Sequence, residues 1–104
     1  MKKITWEKAK QEIKKGVIFL EFSTKWCGDC KAMKPIIQRA KEIISKHRQD
    51  VKFIEVDAEE TNLFRNNNEF NVLKVPSFYK IVDGQKTHIG SEYLPVEKLV
   101  KFFI

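Results

Sequence analysis

Residues 17–22, with the sequence VIFLEF, restrict the fold more than any other segment, because five of the six are apolar. Successive side chains of a β-strand point to opposite faces, so a strand formed here would be apolar on both faces. Such a strand lies inside a sheet that is covered by helices on both sides. The segment therefore predicts the central strand of an α/β domain.

A helical pattern precedes this strand. Thr5 can serve as the N-cap of a helix in which Trp6, Ala9 and Ile13 fall at helical spacing, and Gly16 is expected to end it.

A longer helical pattern follows the strand, since apolar residues recur at intervals of three and four over residues 32–44. Pro35 lies within it and is expected to kink the helix. The segment Val51–Asp57 (VKFIEVD) predicts a second strand. Because a helix connects the two strands, we expect them to be parallel.

The last third of the chain predicts a hairpin and two helices. A weaker helical pattern around residues 60–67 should turn Leu63 and Phe64 inward, and SFYKIV and KTHIG flank the turn dipeptide Asp83-Gly84 of an antiparallel hairpin. The final helix is expected to open at Pro95, a residue favoured at the first helical position. Its predicted buried residues are Val96, Leu99, Val100 and Phe103. The order of elements predicts a mixed sheet flanked by helices, in one domain covering residues 1–104.

Composition limits the classes of function. A chain of 104 residues that is 42% hydrophobic can fold without crosslinks, and its two cysteines and lack of a signal-peptide pattern favour a reducing cytoplasm. Its longest apolar run, residues 17–20, is too short to span a membrane. The net charge of +6 comes from scattered lysines, which favours a solvated surface over nucleic-acid binding; a preference for acidic partners is the alternative.

The two cysteines, Cys27 and Cys30, lie where the central strand ends and the long helix begins. Cys27 is expected just outside the helix, where unpaired N–H groups and the helix dipole favour its thiolate, and Lys25 and Lys31 add positive potential. Cys30, one turn into the helix, should be the less exposed of the two. This arrangement suits an attacking and a resolving thiol.

Three other interpretations of the pair remain open. A disulfide across so short a loop would stabilise the fold only weakly. A zinc site needs four ligands, and His47 and His88 lack finger-like spacing from the cysteines. Two buried core cysteines are disfavoured because Gly28 and Asp29 between them suggest a surface turn.

The chain resembles the thioredoxin family over nearly its whole length. The segments EFSTKWCGDCKAMKP, KFIEVDAEE, VLKVPSFYKIVDGQK and HIG occur in the family's order and spacing. The resemblance implies the thioredoxin fold, with Cys27 as the attacking nucleophile and Cys30 as the resolving thiol. It also implies a cis bond between Val75 and Pro76, with the backbone of Val75 free to pair with an extended client segment.

The resemblance also places Glu21 as a buried carboxyl beneath Cys30, where it can exchange a proton with the thiol. An acid in an apolar strand should have a raised pKa, unless it reaches solvent as a structural acid at the sheet edge. Trp26 is expected to pack as a lid beside the site, and Pro35 and Gly90 to serve backbone shape. The residues expected at the client-binding surface are Trp26, Gly28, Asp29, Lys74, Val75, Pro76 and Gly90.

Four positions depart from the usual family pattern. Glu21 replaces Asp, Asp29 replaces proline, Ser23 replaces an aromatic residue, and Lys74 replaces a small residue. The last three bear on which reductase and which clients accept the protein.

The sequence thus predicts a cytoplasmic, monomeric oxidoreductase that reduces protein disulfides without a cofactor or metal. Its expected partners are disulfide-containing client proteins and a thioredoxin reductase or other electron donor, and neither nucleic acid nor membrane. The alternatives are a reductant dedicated to one client, such as a peroxidase, and a binding module whose redox activity is incidental.

Overall fold

The structure is a computed structural model that describes residues 1–65, 70 and 72–104. Its strands and helices are β1 (Lys2–Lys3), α1 (Trp6–Glu12), β2 (Val17–Ser23), α2 (Gly28–His47), β3 (Val51–Asp57), β4 (Ser77–Val82), β5 (Gln85–Ser91) and α3 (Val96–Val100).

Strand β2 occupies the centre of a five-stranded sheet with the order β1-β3-β2-β4-β5. It pairs parallel with β3 and antiparallel with β4, and β4 pairs antiparallel with β5. The predicted central strand, the parallel second strand, the hairpin and the mixed sheet are therefore confirmed.

The alternation of β2 side chains divides the core into two layers. Ile18, Leu20 and Phe22 pack in one cluster with Ala9 of α1. Phe19 packs in the other with residues of α2 and α3 that include Met33, Ile37, Ala40, Ile44 and Leu99. Helices thus cover both faces of the central strand, as its apolar composition predicted.

The start of α1 and the β4–β5 turn are each fixed by a short-range feature of the sequence. The Thr5 hydroxyl accepts a hydrogen bond from Lys8 N–H at 3.3 Å and caps α1, as predicted. In the β4–β5 turn, Asp83 and Gly84 have φ values of 48° and 86°, the left-handed conformation of a two-residue hairpin loop. The carboxylate of Asp83 accepts from Gly16 N–H at 2.8 Å and ties the turn to the start of β2.

The weak helix predicted around residues 60–67 is wrong for its described part, residues 60–65. The Asp57 carboxylate accepts from the N–H groups of Glu59 and Glu60 at 2.8 and 3.1 Å, as a helix N-cap does, but only turns follow it. Asn62 and Arg65 have φ values near +60°, which a right-handed helix cannot contain. Residues 66 and 67 lie outside the described residues.

Leu63 and Phe64 nevertheless turn inward as expected, since both pack against the α1-side cluster. Two boundaries also differ from expectation. Pro95 is the N-cap residue that precedes α3, with ψ at 155°, and Phe103 is buried just beyond the helix. Strand β1 was not predicted, and within the described residues no helix is long and apolar enough to cross a membrane.

Candidate active site

Cys27 lies at the N-cap of α2, at the end of the sheet where β2 stops. Its φ and ψ of −81° and 112° are extended, and its sulfur accepts a hydrogen bond from Cys30 N–H at 3.0 Å. The predicted placement at the strand–helix junction is correct. The sulfur thereby takes up one of the unpaired donors at the positive end of the helix, which favours a thiolate there.

Cys27 and Cys30 are joined by a disulfide, with their Cα atoms 5.2 Å apart. The expected difference in exposure is absent, because Cys27 is 4% and Cys30 is 6% exposed in this disulfide form. Cys27 is covered from the side of the Val75 loop, where its sulfur lies 3.6 Å from the Val75 carbonyl oxygen. Gly28 and Asp29 between the cysteines are exposed, as expected, but they form the first turn of helix α2 and not a separate surface turn.

The loop before β4 approaches the disulfide through Val75. The Val75–Pro76 bond is cis, as the family resemblance implied. Lys74 is exposed at the rim of this loop, and its ammonium lies 3.2 Å from a Glu92 carboxylate oxygen. The charge that Lys74 brings to the loop is therefore partly offset by a neighbour from the segment after β5.

A chain of hydrogen bonds that sequence reasoning missed supports this loop. Ser77 Oγ donates to the Lys74 carbonyl oxygen, and lies 2.8 Å from Ser91 Oγ, which lies 3.1 Å from His88 Nε2. Ser77 has one proton and uses it on Lys74, so Ser91 must donate to Ser77 and accept from His88. The chain thus runs in one direction from β5 to the residue before Val75.

Glu21 is 2% exposed on the face of β2 that α2 covers. It lines a cavity with Met1, Lys34, Ile37, Gln38 and Glu55. Burial, followed by the negative charge of Glu55, raises the pKa of Glu21 to about 8, against smaller opposing effects of Lys34, Lys3 and the amino group of Met1. The alternative of an acid reaching solvent at the sheet edge is excluded by this burial.

Trp26 lies beside the cysteines with 58% of its surface exposed. Its indole N–H donates to a Glu59 carboxylate oxygen at 3.0 Å, and its ring packs 5.8 Å from that of Phe64. These contacts come from the segment that follows β3, and they hold the ring at the surface. Lys25, expected to add positive potential, lies 3.7 Å from a Glu60 carboxylate oxygen.

Gly90 pairs with Phe78 across β4 and β5. A Cβ added to Gly90 would lie 2.9 Å from the end of the Leu94 side chain, which would have to shift to admit it. The role of Gly90 in backbone shape stays a prediction. Thr24, which sequence reasoning also missed, is 5% exposed, and its hydroxyl has no hydrogen-bond partner among residues 1–65, 70 and 72–104.

Comparison with known proteins decides the family. The thioredoxin family model matches residues 1–104. The chain belongs to the thioredoxin family. It is 40% identical over 108 residues to a thioredoxin of Mycoplasmopsis pulmonis, with 99% of each chain covered. It is 32% identical over 88 residues to thioredoxin Asp f 29 of Aspergillus fumigatus, covering 83% of this chain and 76% of that one.

Solved thioredoxins share the fold. The solution structure of oxidised thioredoxin from Plasmodium falciparum superposes with a TM-score of 0.79 at 19% identity, covering 100% of this chain and 99% of that one. With a paired Cys27 and Cys30 in a thioredoxin-family domain, the protein is a dithiol–disulfide oxidoreductase. The zinc alternative receives no support, since no three metal-ligating side chains cluster in the described part of the chain.

Proposed function

We propose that this thioredoxin-family protein reduces client disulfides by a two-step exchange that begins at Cys27. The Cys27 thiolate attacks one client sulfur, forms a mixed disulfide and releases the other client sulfur as a thiolate that takes a proton from water. Cys30 then loses its proton and attacks the Cys27 sulfur. The second client thiolate leaves, the Cys27–Cys30 disulfide forms, and two electrons have passed to the client.

The position of the Cys27 sulfur is the observation that supports Cys27 as the attacking thiol and Cys30 as the resolving thiol. It accepts the Cys30 N–H at 3.0 Å at the start of a 20-residue helix, so a negative charge on this sulfur is stabilised. It also lies 3.6 Å from the Val75 carbonyl, at the loop where a client would dock. The Val75 N–H has no hydrogen-bond partner in the described chain, which supports pairing of the Val75 backbone with an extended client segment.

Glu21 is the proposed proton acceptor for Cys30. Lys34 and Ile37 of α2 line the Glu21 cavity, and Cys30 lies one helical turn before Lys34 on the same side of the helix. The acceptor role and the client-binding roles of Trp26, Gly28, Asp29, Lys74, Val75, Pro76 and Gly90 belong to this proposal.

Electrons would come from a thioredoxin reductase or another donor, so that the protein acts as a monomeric electron carrier in cytoplasmic redox homeostasis. A coupled assay of NADPH consumption, with a thioredoxin reductase and a disulfide protein, tests this. NADPH consumption that requires both the reductase and this protein would support the proposal. An absence of NADPH consumption with every reductase tried would reject thioredoxin reductases as the electron donor.

Trapping variants test the two thiol roles. Cys30→Ser should accumulate mixed disulfides with client proteins through Cys27, because the resolving thiol is gone, whereas Cys27→Ser should trap few. Non-reducing electrophoresis and mass spectrometry of the trapped species measure this. Trapping mainly by Cys27→Ser would reverse the roles. A biological effect that survives in the Cys27→Ser/Cys30→Ser double variant would favour a binding module instead.

A further inference from the structure

Glu21 lies beside a second carboxylate, Glu55, on the neighbouring strand of the sheet. Glu21 of β2 and Glu55 of β3 are directly paired in register, so their side chains project from the same face of adjacent strands. Both line one cavity of about 240 Å³, which is room for several water molecules. The two carboxyl groups therefore share a polar compartment that opens beside Met1 and Lys34.

Glu55 is fixed in a way that suits an intermediate position between Glu21 and solvent. The Ser23 hydroxyl donates to one Glu55 carboxylate oxygen at 2.6 Å, a short bond of the kind that a charged acceptor makes. The carboxylate accepts no other hydrogen bond from residues 1–65, 70 and 72–104, so its second oxygen can accept from water. Glu55 is half-buried, whereas Glu21 is 2% exposed.

The sequence explains why this arrangement exists here. Ser23 occupies a position where the family pattern has an aromatic side chain, and it lies two residues after Glu21 on the same face of β2. Its small hydroxyl side chain both leaves room for Glu55 and anchors it. The charged groups that act on Glu21 are Glu55 of β3, Lys34 of α2, Lys3 of β1 and the amino group of Met1, while its neighbour on β4 is the apolar Phe78.

We propose that Glu55, anchored by Ser23, relays protons between Glu21 and solvent. The inference rests on the proposed role of Glu21 as the proton acceptor for Cys30. When Cys30 is activated, its proton passes to the Glu21 carboxylate, then through the cavity to the Glu55 carboxylate, and from Glu55 to water. The reverse path supplies the proton when the Cys27–Cys30 disulfide is reduced. Glu55 acts on the reaction only through Glu21.

Rapid mixing of the reduced protein with a small aromatic disulfide such as dithiobis-nitrobenzoate isolates the relevant step. The first thionitrobenzoate released reports attack by Cys27, and the second reports attack by Cys30 on the resulting mixed disulfide. Both rates are measured at pH 7 over a range of imidazole concentrations. The variants are Glu55→Gln and Ser23→Ala, with Glu42→Gln, an exposed acid on the outer side of α2, as the charge-matched control.

The relay predicts a specific pattern. Glu55→Gln should leave the rate of the first release unchanged and slow the second release roughly 3- to 10-fold at low imidazole. The rate of the second release should recover as added imidazole supplies the missing proton acceptor. Ser23→Ala should show a smaller effect of the same kind, while Glu42→Gln and the unmodified protein should be insensitive to imidazole. Carbon-13 NMR should show the Glu21 titration midpoint at lower pH in Glu55→Gln, because a neighbouring negative charge is removed.

The direction in which Glu55→Gln changes the rate of the second release separates a relay from a simple electrostatic effect. Loss of the Glu55 charge alone would ionise more Glu21 at pH 7 and leave the second release as fast or faster. The relay would be overturned if Glu55→Gln shifted the Glu21 titration midpoint without slowing the second release. It would also be overturned if imidazole did not restore a slowed second release. If Glu21→Gln itself fails to slow the second release, the proposed role of Glu21 fails first, and the two failures are thereby distinguished.

Discussion

At the scale of single residues, Glu21 couples the chemistry of the site to the stability of the fold. Its carboxyl lies within the sheet at 2% exposure, and the pKa is raised to about 8 from an ordinary value of 4.5. Between these two pH values the unfolded chain has released the proton that the folded protein retains. Stability therefore falls as pH rises from about 4.5 towards 8, and stays lowered above that.

Glu21→Gln removes this pH dependence. We expect no gain in the free energy of unfolding near pH 4, where the carboxyl is protonated in both states, and a gain of roughly 3 kcal/mol at pH 7. Urea unfolding at several pH values measures it. Resolution of the mixed disulfide should slow in the same variant. A gain of equal size at pH 4 and pH 7, or a loss of stability with normal exchange rates, would assign Glu21 a purely structural role.

Asp29 is the second residue with a separable effect, because its charge stands between the two cysteines in the first turn of α2. At a separation of about 5 Å and an effective dielectric of 40 to 80, like-charge repulsion on the Cys27 thiolate is about 1 to 1.5 kcal/mol. The helix dipole favours both anions and leaves their mutual repulsion in place. Asp29 therefore disfavours the thiolate and, with it, the reduced form.

Asp29→Asn keeps the shape of the side chain and removes the charge. We expect more thiolate at a given pH, measured by ultraviolet absorbance, and a potential less reducing by up to roughly 20 to 30 mV. Both effects should shrink as salt is added. An unchanged or smaller thiolate fraction would show that the Asp29 carboxylate points away from the sulfur.

At the scale of secondary structure, local sequence patterns were sufficient to predict the elements whose apolar residues or turn residues recur at a regular spacing. Strand β2, helix α2 and the hairpin turn at Asp83 follow from apolar period and turn chemistry, and the structure confirms them. Strand β1 is two lysines, which have no strand preference; it exists because Lys2 and Lys3 pair with Ile54 and Glu55 of β3. The pattern around residues 60–65 failed because Asn62 and Arg65 adopt left-handed φ values, which stop the turn that Asp57 caps from continuing as a helix.

The hydrogen bonds that end at the Lys74 carbonyl yield a prediction about the loop before β4. Ser77→Ala breaks the chain from His88 through Ser91 and removes two partly buried hydrogen bonds, so the free energy of unfolding should fall by about 1 kcal/mol. A loosened loop should raise KM for a protein disulfide several-fold, with little change in the rate at which a small alkylating agent reacts with Cys27.

The exposed Ser45 of α2 offers a matched control, since Ser45→Ala makes the same chemical change on a solvated helix face. Steady-state kinetics with a protein client and alkylation rates of all three proteins separate docking from thiol reactivity. Equal KM values for Ser77→Ala and Ser45→Ala would mean that this chain holds the fold without positioning the client.

At the scale of the whole molecule, the fold brings to one end of the sheet residues that are far apart in sequence. Cys27 and Val75 are separated by 48 positions, and their contact depends on the β2–β4 pairing. Spacing alone placed the cysteines at the helix start, and the resemblance supplied the cis bond. The burial of Cys27 and the pairing of Glu21 with Glu55 required strand register, which a single sequence does not specify.

Net charge is the remaining property of the whole molecule that bears on clients. The protein carries +6 within extents of 35 × 29 × 20 Å, and near the site Lys25 and Lys74 are paired with Glu60 and Glu92. Because the opposite charges within each pair offset each other, any preference for acidic clients should come from the summed electrostatic field of the protein, which acts at long range. The screening length, about 30 Å at 0.01 M salt and about 8 Å at 0.15 M, decides where that field matters.

We therefore expect disulfide peptides of matched sequence but opposite charge to be distinguished only at low salt. At 0.01 M salt an acidic peptide should react with Cys27 roughly 3- to 10-fold faster than its basic counterpart, and at 0.15 M the two should be nearly equal. Second-order rate constants from rapid mixing measure the ratio, with a neutral peptide as the reference. A ratio that persists at 0.15 M would reveal a local acidic-client site near the disulfide, and a ratio near one at both salts would make the charge a solvated surface alone.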